Sequence, residues 1–134
     1  MENIGTVVKV VAAIGGSLFA TIYGEWNQIF FVLTLLVVAD FLSGIAASAT
    51  EGAMSSKVGY VGIIKKLGIF VIVAMAHQLD LIFGNTNALR DAAVFFYMAN
   101  ELISVVENAG RIGLPLPPSI TKVIAALKEK GEKE

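Results

Sequence analysis

The chain has 134 residues, 56% of them hydrophobic and only 16% charged, with a formal net charge of -1. That length suits one compact unit and not two ordinary soluble domains. A mean hydropathy of +0.76 sets it apart from soluble globular chains, of which about a quarter of the residues are charged, and the absence of cysteine with a single histidine excludes disulfide frameworks, thiolate chemistry and histidine-rich metal sites.

A helix needs roughly 20 apolar residues to cross a hydrocarbon core about 30 Å thick. Residues 4–23, IGTVVKVVAAIGGSLFATIY, and residues 29–49, IFFVLTLLVVADFLSGIAASA, meet that requirement. Between them GEWN supplies a turn and Trp26, an aromatic suited to the membrane interface. FATIYGEW is a poor small-residue cleavage site, so the first stretch reads as a span and not as a secretory signal. The third stretch, residues 67–83, is shorter, about 25 Å at the helical rise, with Lys65 and Lys66 able to snorkel from its start. The fourth, residues 92–110, is apolar in its first half, AAVFFYMA, and polar in its second.

The connections TEGAMSSKVGYVG and GNTNALRD, the latter with Asn85 and Asn87, read as turns between antiparallel helices. Pro115, Pro117 and Pro118 stop the fourth helix. Ser119 is placed to cap a short amphipathic helix with Ile120, Val123, Ile124 and Leu127 on one face. The predicted fold is therefore all-α: an integral membrane protein of about four transmembrane helices, the fourth amphipathic. Residues 1–118 form a membrane-embedded domain, and residues 119–134 a charged helix or tail. Lys9, Lys57, Lys65, Lys66, Arg111, Lys122, Lys128, Lys130 and Lys133 fall on one side of this arrangement, and only Arg90 falls in the other set of connections. By the positive-inside rule both termini and the middle loop are cytoplasmic.

Charges near a bilayer centre cost about 2.5 to 3.5 kcal/mol each on insertion scales and normally face other helices or water. That cost singles out Asp40, His77, Asp80, Glu101 and Glu107, together with Lys9. Folding the first two stretches into a hairpin brings Lys9 to the depth of Asp40, a candidate ion pair. The second hairpin brings Glu107 within about a turn of Lys66 and His77 close to Tyr97. Asp40, Ser43, Gly44 and Ala47 share a small, polar face, and Ala12, Gly16 and Ala20 recur every four residues, patterns that let helix backbones approach closely. Each polar residue also has a plainer reading as interhelical glue, worth about 0.6 kcal/mol on average.

In NELISVVENAG, Asn100, Ser104, Glu107, Asn108 and Arg111 follow helical spacing along one side, one turn after Tyr97, while Phe95, Leu102, Val105 and Val106 occupy much of the rest. Such a helix keeps its apolar side in lipid only when its polar side meets protein, water or headgroups. Three placements satisfy that condition: the lining of an aqueous lesion in an assembly, burial within one bundle, or a helix lying flat at the interface.

ADFLSGIAASA, SSKVGYVGIIKK, Asp80 after an apolar run and FFYMANELISVVENAGRIGLPLPP together resemble the phage lysis and toxin-secretion holins, holin family four. The resemblance covers residues 38–118. Its most specific part is Asn100, Glu101, Ser104, Glu107 and Asn108 followed by Gly113, Leu114 and Pro115, with support from Asp40 to Gly44, Ser56, Gly59, Gly62 and Lys66. The first span, outside that region, rests on hydropathy alone. The resemblance implies a small phage or prophage protein of the bacterial cytoplasmic membrane. Such proteins accumulate, assemble with copies of themselves at a set time, and permeabilise the membrane. A cell-wall hydrolase (endolysin) or a toxin is thereby released without required direct contact. It implies no catalytic residue, cofactor or nucleic-acid partner.

Two other classes compete. A small efflux or ion transporter also uses buried carboxylates in four-helix subunits, and an antiholin would regulate another holin. For an enzyme, the sequence offers no phosphate loop, no metal-ligand cluster and no serine, histidine and acid set in a distinctive context.

Overall fold

A computed structural model describes residues 2–84 and 86–133, the side chain of Lys133 excepted; Asn85 of the predicted turn and Glu134 of the predicted tail lie outside the described residues. Helices α1 (Glu2–Tyr23), α2 (Gln28–Thr50), α3 (Ser56–Phe83), α4 (Ala88–Ile112) and α5 (Pro118–Lys133) follow in order, with no strand among the described residues. The all-α expectation holds. α1, α2 and α3 are long and apolar enough to cross a membrane. α4 has the length, at 25 residues, but not the composition, because Arg90, Asp91, Glu101, Glu107 and Arg111 all lie on it. The predicted fourth span is thus not among the helices that qualify on length and apolarity.

Three helix starts differ from the sequence expectation. α3 begins at Ser56, well before residue 67, because Ser55 adopts an extended backbone and its hydroxyl accepts the Val58 N–H at 3.2 Å. That cap satisfies an orphan donor and pulls much of the predicted glycine-rich loop into the helix. α4 starts at Ala88 instead of residue 92, after Asn87 turns the chain in a left-handed conformation. α5 opens on Pro118, whose missing N–H is not needed in a first turn. Ser119 is therefore inside the helix, and the N–H groups of Ile120 and Thr121 donate to the Pro117 carbonyl.

α2, α3 and α4 form the bundle. α4 runs beside α2 in the same direction and antiparallel to α3, as the pairs Asn27–Arg90, Glu51–Arg111 and Lys66–Glu101 require. Phe30, Leu33 and Val37 of α2 meet Ile69 and Val73 of α3 and Val94 of α4 in a core that fills the half nearest the α1–α2 turn. α1 buries no residue. It is held near its end, where Phe19 and Tyr23 pack on Phe30 at ring separations of 5.1 and 5.2 Å and Trp26 joins them. Gln78 of α3 donates to the last carbonyls of α1, at Thr21 and Ile22. Side chains such as Ile4, Val7, Leu35, Leu42, Ile72 and Phe96 point outward. In lipid such surface drives no association, so close packing and polar contacts must hold the helices together.

Candidate functional site

Polar side chains gather at two levels of the bundle. At mid-height, the Lys66 ammonium of α3 donates to Asp40 Oδ2 of α2 at 2.5 Å and to Glu101 Oε2 of α4 at 2.7 Å. Asp40 lies about 15 Å along α2 from Thr50, and Lys66 about 15 Å along α3 from Ser56, so the antiparallel hairpin sets them level. Glu101 is 4% exposed, and one ammonium serves two carboxylates.

Asn108 extends this group toward the α2–α3 loop. Its amide nitrogen donates to Asp40 Oδ1 at 2.9 Å and to Ser43 Oγ at 3.0 Å, and its own carbonyl accepts from Arg111 at 3.2 Å. Arg111 then grips Glu51 with two bonds, 3.0 and 2.8 Å long. A continuous chain therefore runs Glu101, Lys66, Asp40, Asn108, Arg111, Glu51. At its exposed end, the Arg111 hydrogen bonds hold the Glu51 carboxyl below its usual range. Two open cavities flank the chain. One, about 650 Å³, lies beside Gly44, Ser48, Gly59 and Gly62. The other, about 430 Å³, lies between α3 and α4 beside Tyr97, Asn100 and Glu107. Asp40, Lys66 and Ser104 line both.

The second level lies near the α1–α2 turn. Asp80, 3% exposed, accepts the backbone N–H groups of Leu89 and Arg90 at 3.0 and 2.8 Å. It caps α4 from across the hairpin, where Asn87 offers no side-chain cap of its own. The Arg90 guanidinium is buried, donates to the Glu25 carbonyl at 2.9 Å and stands over the Phe30 ring at 5.9 Å. Gly24, at φ +81°, lies against it: a Cβ there would meet Arg90 Nη1 and His77 Cε1, both at 2.8 Å. His77 is buried with its Nδ1 unpartnered.

One expected pairing is replaced. Asp40 pairs with Lys66 and not with Lys9, which is exposed on α1. Lys66 lines one cavity with Glu107 but bonds Glu101, and Glu107 pairs with Lys128 of α5. His77 lies beside Gly24, with the Arg90 guanidinium near the same point. Depth along a helix was readable, but the direction in which each side chain points was not. Asn100, Lys57 and Lys65 are exposed, and Ser104 is half-buried beside Asp40. Sequence alone gave Arg90, Glu51 and Gln78 no site role. Arg90 did carry a signal, as a lone cation set against the charge bias of the other connections.

An all-helical chain with three membrane-length apolar helices and charges buried between them is an integral membrane protein. The chain belongs to the Bacteriophage holin family, which it matches over residues 17–129. An uncharacterized protein of Listeria monocytogenes is 46% identical over 89% of this chain and 86% of its own length. An uncharacterized 14.9 kDa protein of Clostridium perfringens is 32% identical over 97% and 99%. A probable holin of Bacillus phage phi105 is 27% identical over 86% and 84%. No solved structure matches the chain.

Proposed function

We propose that this protein is a phage-type holin of the bacterial cytoplasmic membrane, and that the bundle described here is its dispersed state. The carrying observation is the sharing of Lys66 between Asp40 and Glu101. It supports a reading in which the polar side of α4 is satisfied within one chain. α4 then crosses the membrane beside α2 and α3 although it is too polar to do so unaided, with both termini and α5 on the cytoplasmic side. Cavities lined in part by charged and polar side chains occupy one half of the bundle, and Leu33, Val37, Ile69, Val73 and Val94 close the other. A lone chain thus offers no continuous wet path. Permeation requires several copies to exchange contacts within each chain for contacts around a shared opening, wide enough for an endolysin or toxin to pass without binding it. No reaction is catalysed.

Replacing Glu101 and Glu107 together with glutamine is expected to shift the time of lysis at equal membrane abundance. Purified protein is expected to release a trapped dye and then a trapped protein from vesicles, abruptly and above a threshold dose. Unchanged timing together with no leakage at any dose would overturn the proposal.

One observation favours a small ion transporter as the second reading: Asp40, Lys66 and Glu101 converge from three helices on one point. A transporter gives saturable, substrate-dependent flux with the membrane potential intact, whereas a holin abolishes that potential. An antiholin is separated by expression alone, since it does not kill the host.

A further inference from the structure

Most of the polar side of α4 is engaged inside the chain, with one exception. The Asn100 side chain is exposed, and it makes no hydrogen bond with any described residue. About 18 Å of helix separates it from the end of α4 at Ile112, and the whole helix is about 37 Å long. On the topology proposed above, Asn100 therefore lies near the bilayer centre, where an amide without a partner is costly. It is flanked at helical spacings of four and three by Phe96, 66% exposed, and by Ile103. Glu107 continues the same stripe, giving the alternating four and three spacing of a two-helix seam with an amide at its middle, while Ala93, a turn earlier, packs on the chain's own core.

We infer that this stripe is the contact surface for a second copy of the chain, with the two α4 helices parallel about a two-fold axis along the membrane normal. The inference rests on the proposed membrane orientation. Copies inserted the same way keep every residue at its own depth, so Asn100 of one copy faces Asn100 of the other. A side-chain amide both donates and accepts, so this pair is self-complementary, as an isologous interface requires. Charge supports the same occupant. Lys65, exposed at the edge of the α3–α4 cavity and without a partner among the described residues, stands beside the cavity that Glu107 also lines. Two copies facing across that cavity bring each Lys65 toward the other copy's Glu107, where it joins Lys128 of that copy on one carboxylate. The contact assigns Asn100 to a seam between neighbours and leaves Ser104, Asp40 and Lys66 on the cavities behind it.

The chain has no cysteine, so single-cysteine variants of the full protein report proximity directly. In vesicles of phosphatidylethanolamine and phosphatidylglycerol, Phe96→Cys, Asn100→Cys and Ile103→Cys should form disulfide-linked dimers, whereas Phe95→Cys and Leu102→Cys, on another face of α4, should not. Asn100→Leu should lower the dimer yield of Ile103→Cys by about threefold or more, and Asn100→Gln should retain most of it. Cross-linking at 95 and 102 but not at 96, 100 and 103, or at none of them, would overturn the seam. Dye release measured on the same vesicles separates the two ideas: leakage without cross-linking at 96 and 103 sinks the seam alone, and cross-linking at 96 and 103 without leakage sinks the holin reading alone.

Discussion

Asp80 and Asp40 are both buried carboxylates on membrane-length helices, yet they are held by different kinds of partner. Asp80 accepts two backbone N–H groups from the first turn of α4, donors fixed in place by the helix itself. Asp40 is held by the Lys66 ammonium and the Asn108 amide, side chains that can rotate away. The level of Asp80 lies against the packed aromatic end of the bundle, and that of Asp40 borders two cavities. Burial alone does not mark the working part of such a protein. What distinguishes the middle level is that its bonds can be exchanged without unfolding a helix.

The most severe way to test that contrast is Lys66→Met, which leaves two carboxylates buried without a cation. Removing one partner from a buried charged group typically costs about 3 to 5 kcal/mol. The variant is expected to lose its cooperative thermal transition in detergent, and a second change, Glu101→Gln with Asp40→Asn, should restore much of it. A wild-type transition in Lys66→Met would mean that the middle level is not held by charge. Next in size is Asp80→Ala. Hydrogen bonds to charged groups contribute about 1.5 to 3 kcal/mol each, so hydrogen exchange at Leu89 and Arg90 should accelerate at least tenfold while exchange near Glu101 changes little. Asp80→Asn, which can still accept a bond, should fall between. Equal acceleration at both levels would mean that they are held alike.

The smallest effect belongs to the exposed end of the middle level. Because Arg111 lowers the Glu51 pKa in the folded chain, the stabilisation from this contact is complete above the ordinary carboxylate pKa and is lost as pH falls through the lowered one. The difference in thermal midpoint between the wild type and Glu51→Gln should therefore be constant above about pH 5 and shrink toward zero in more acidic solution. A difference that grew on acidification would contradict the assigned pairing.

The helices were legible because apolar runs of membrane length admit few alternatives. The early start of α3 was not, since glycines 59 and 62 resemble a loop until Ser55 is seen to cap it. The polar residues of the middle level could be picked out by their cost in lipid, and their depths followed from residue counts. Partners could not, because depth leaves rotation about the helix axis free: Lys9 and Lys66 both suit Asp40 by height, and only the placement of α1 outside the bundle decides between them. Asp80 stood out for its charge, but nothing in the sequence distinguishes a carboxylate facing another side chain from one turned onto the backbone ten residues ahead.

The cross-hairpin cap has a consequence for biogenesis. α4 is not among the helices long and apolar enough to cross a membrane, and its first turn lacks a cap until Asp80 of the preceding helix reaches it. On the proposed topology its entry is therefore coupled to that of α3, the two leaving the insertion machinery as one unit. A substitution at position 80 would then act at synthesis, lowering the share of chains in which α4 is inserted before any question of timing or leakage arises.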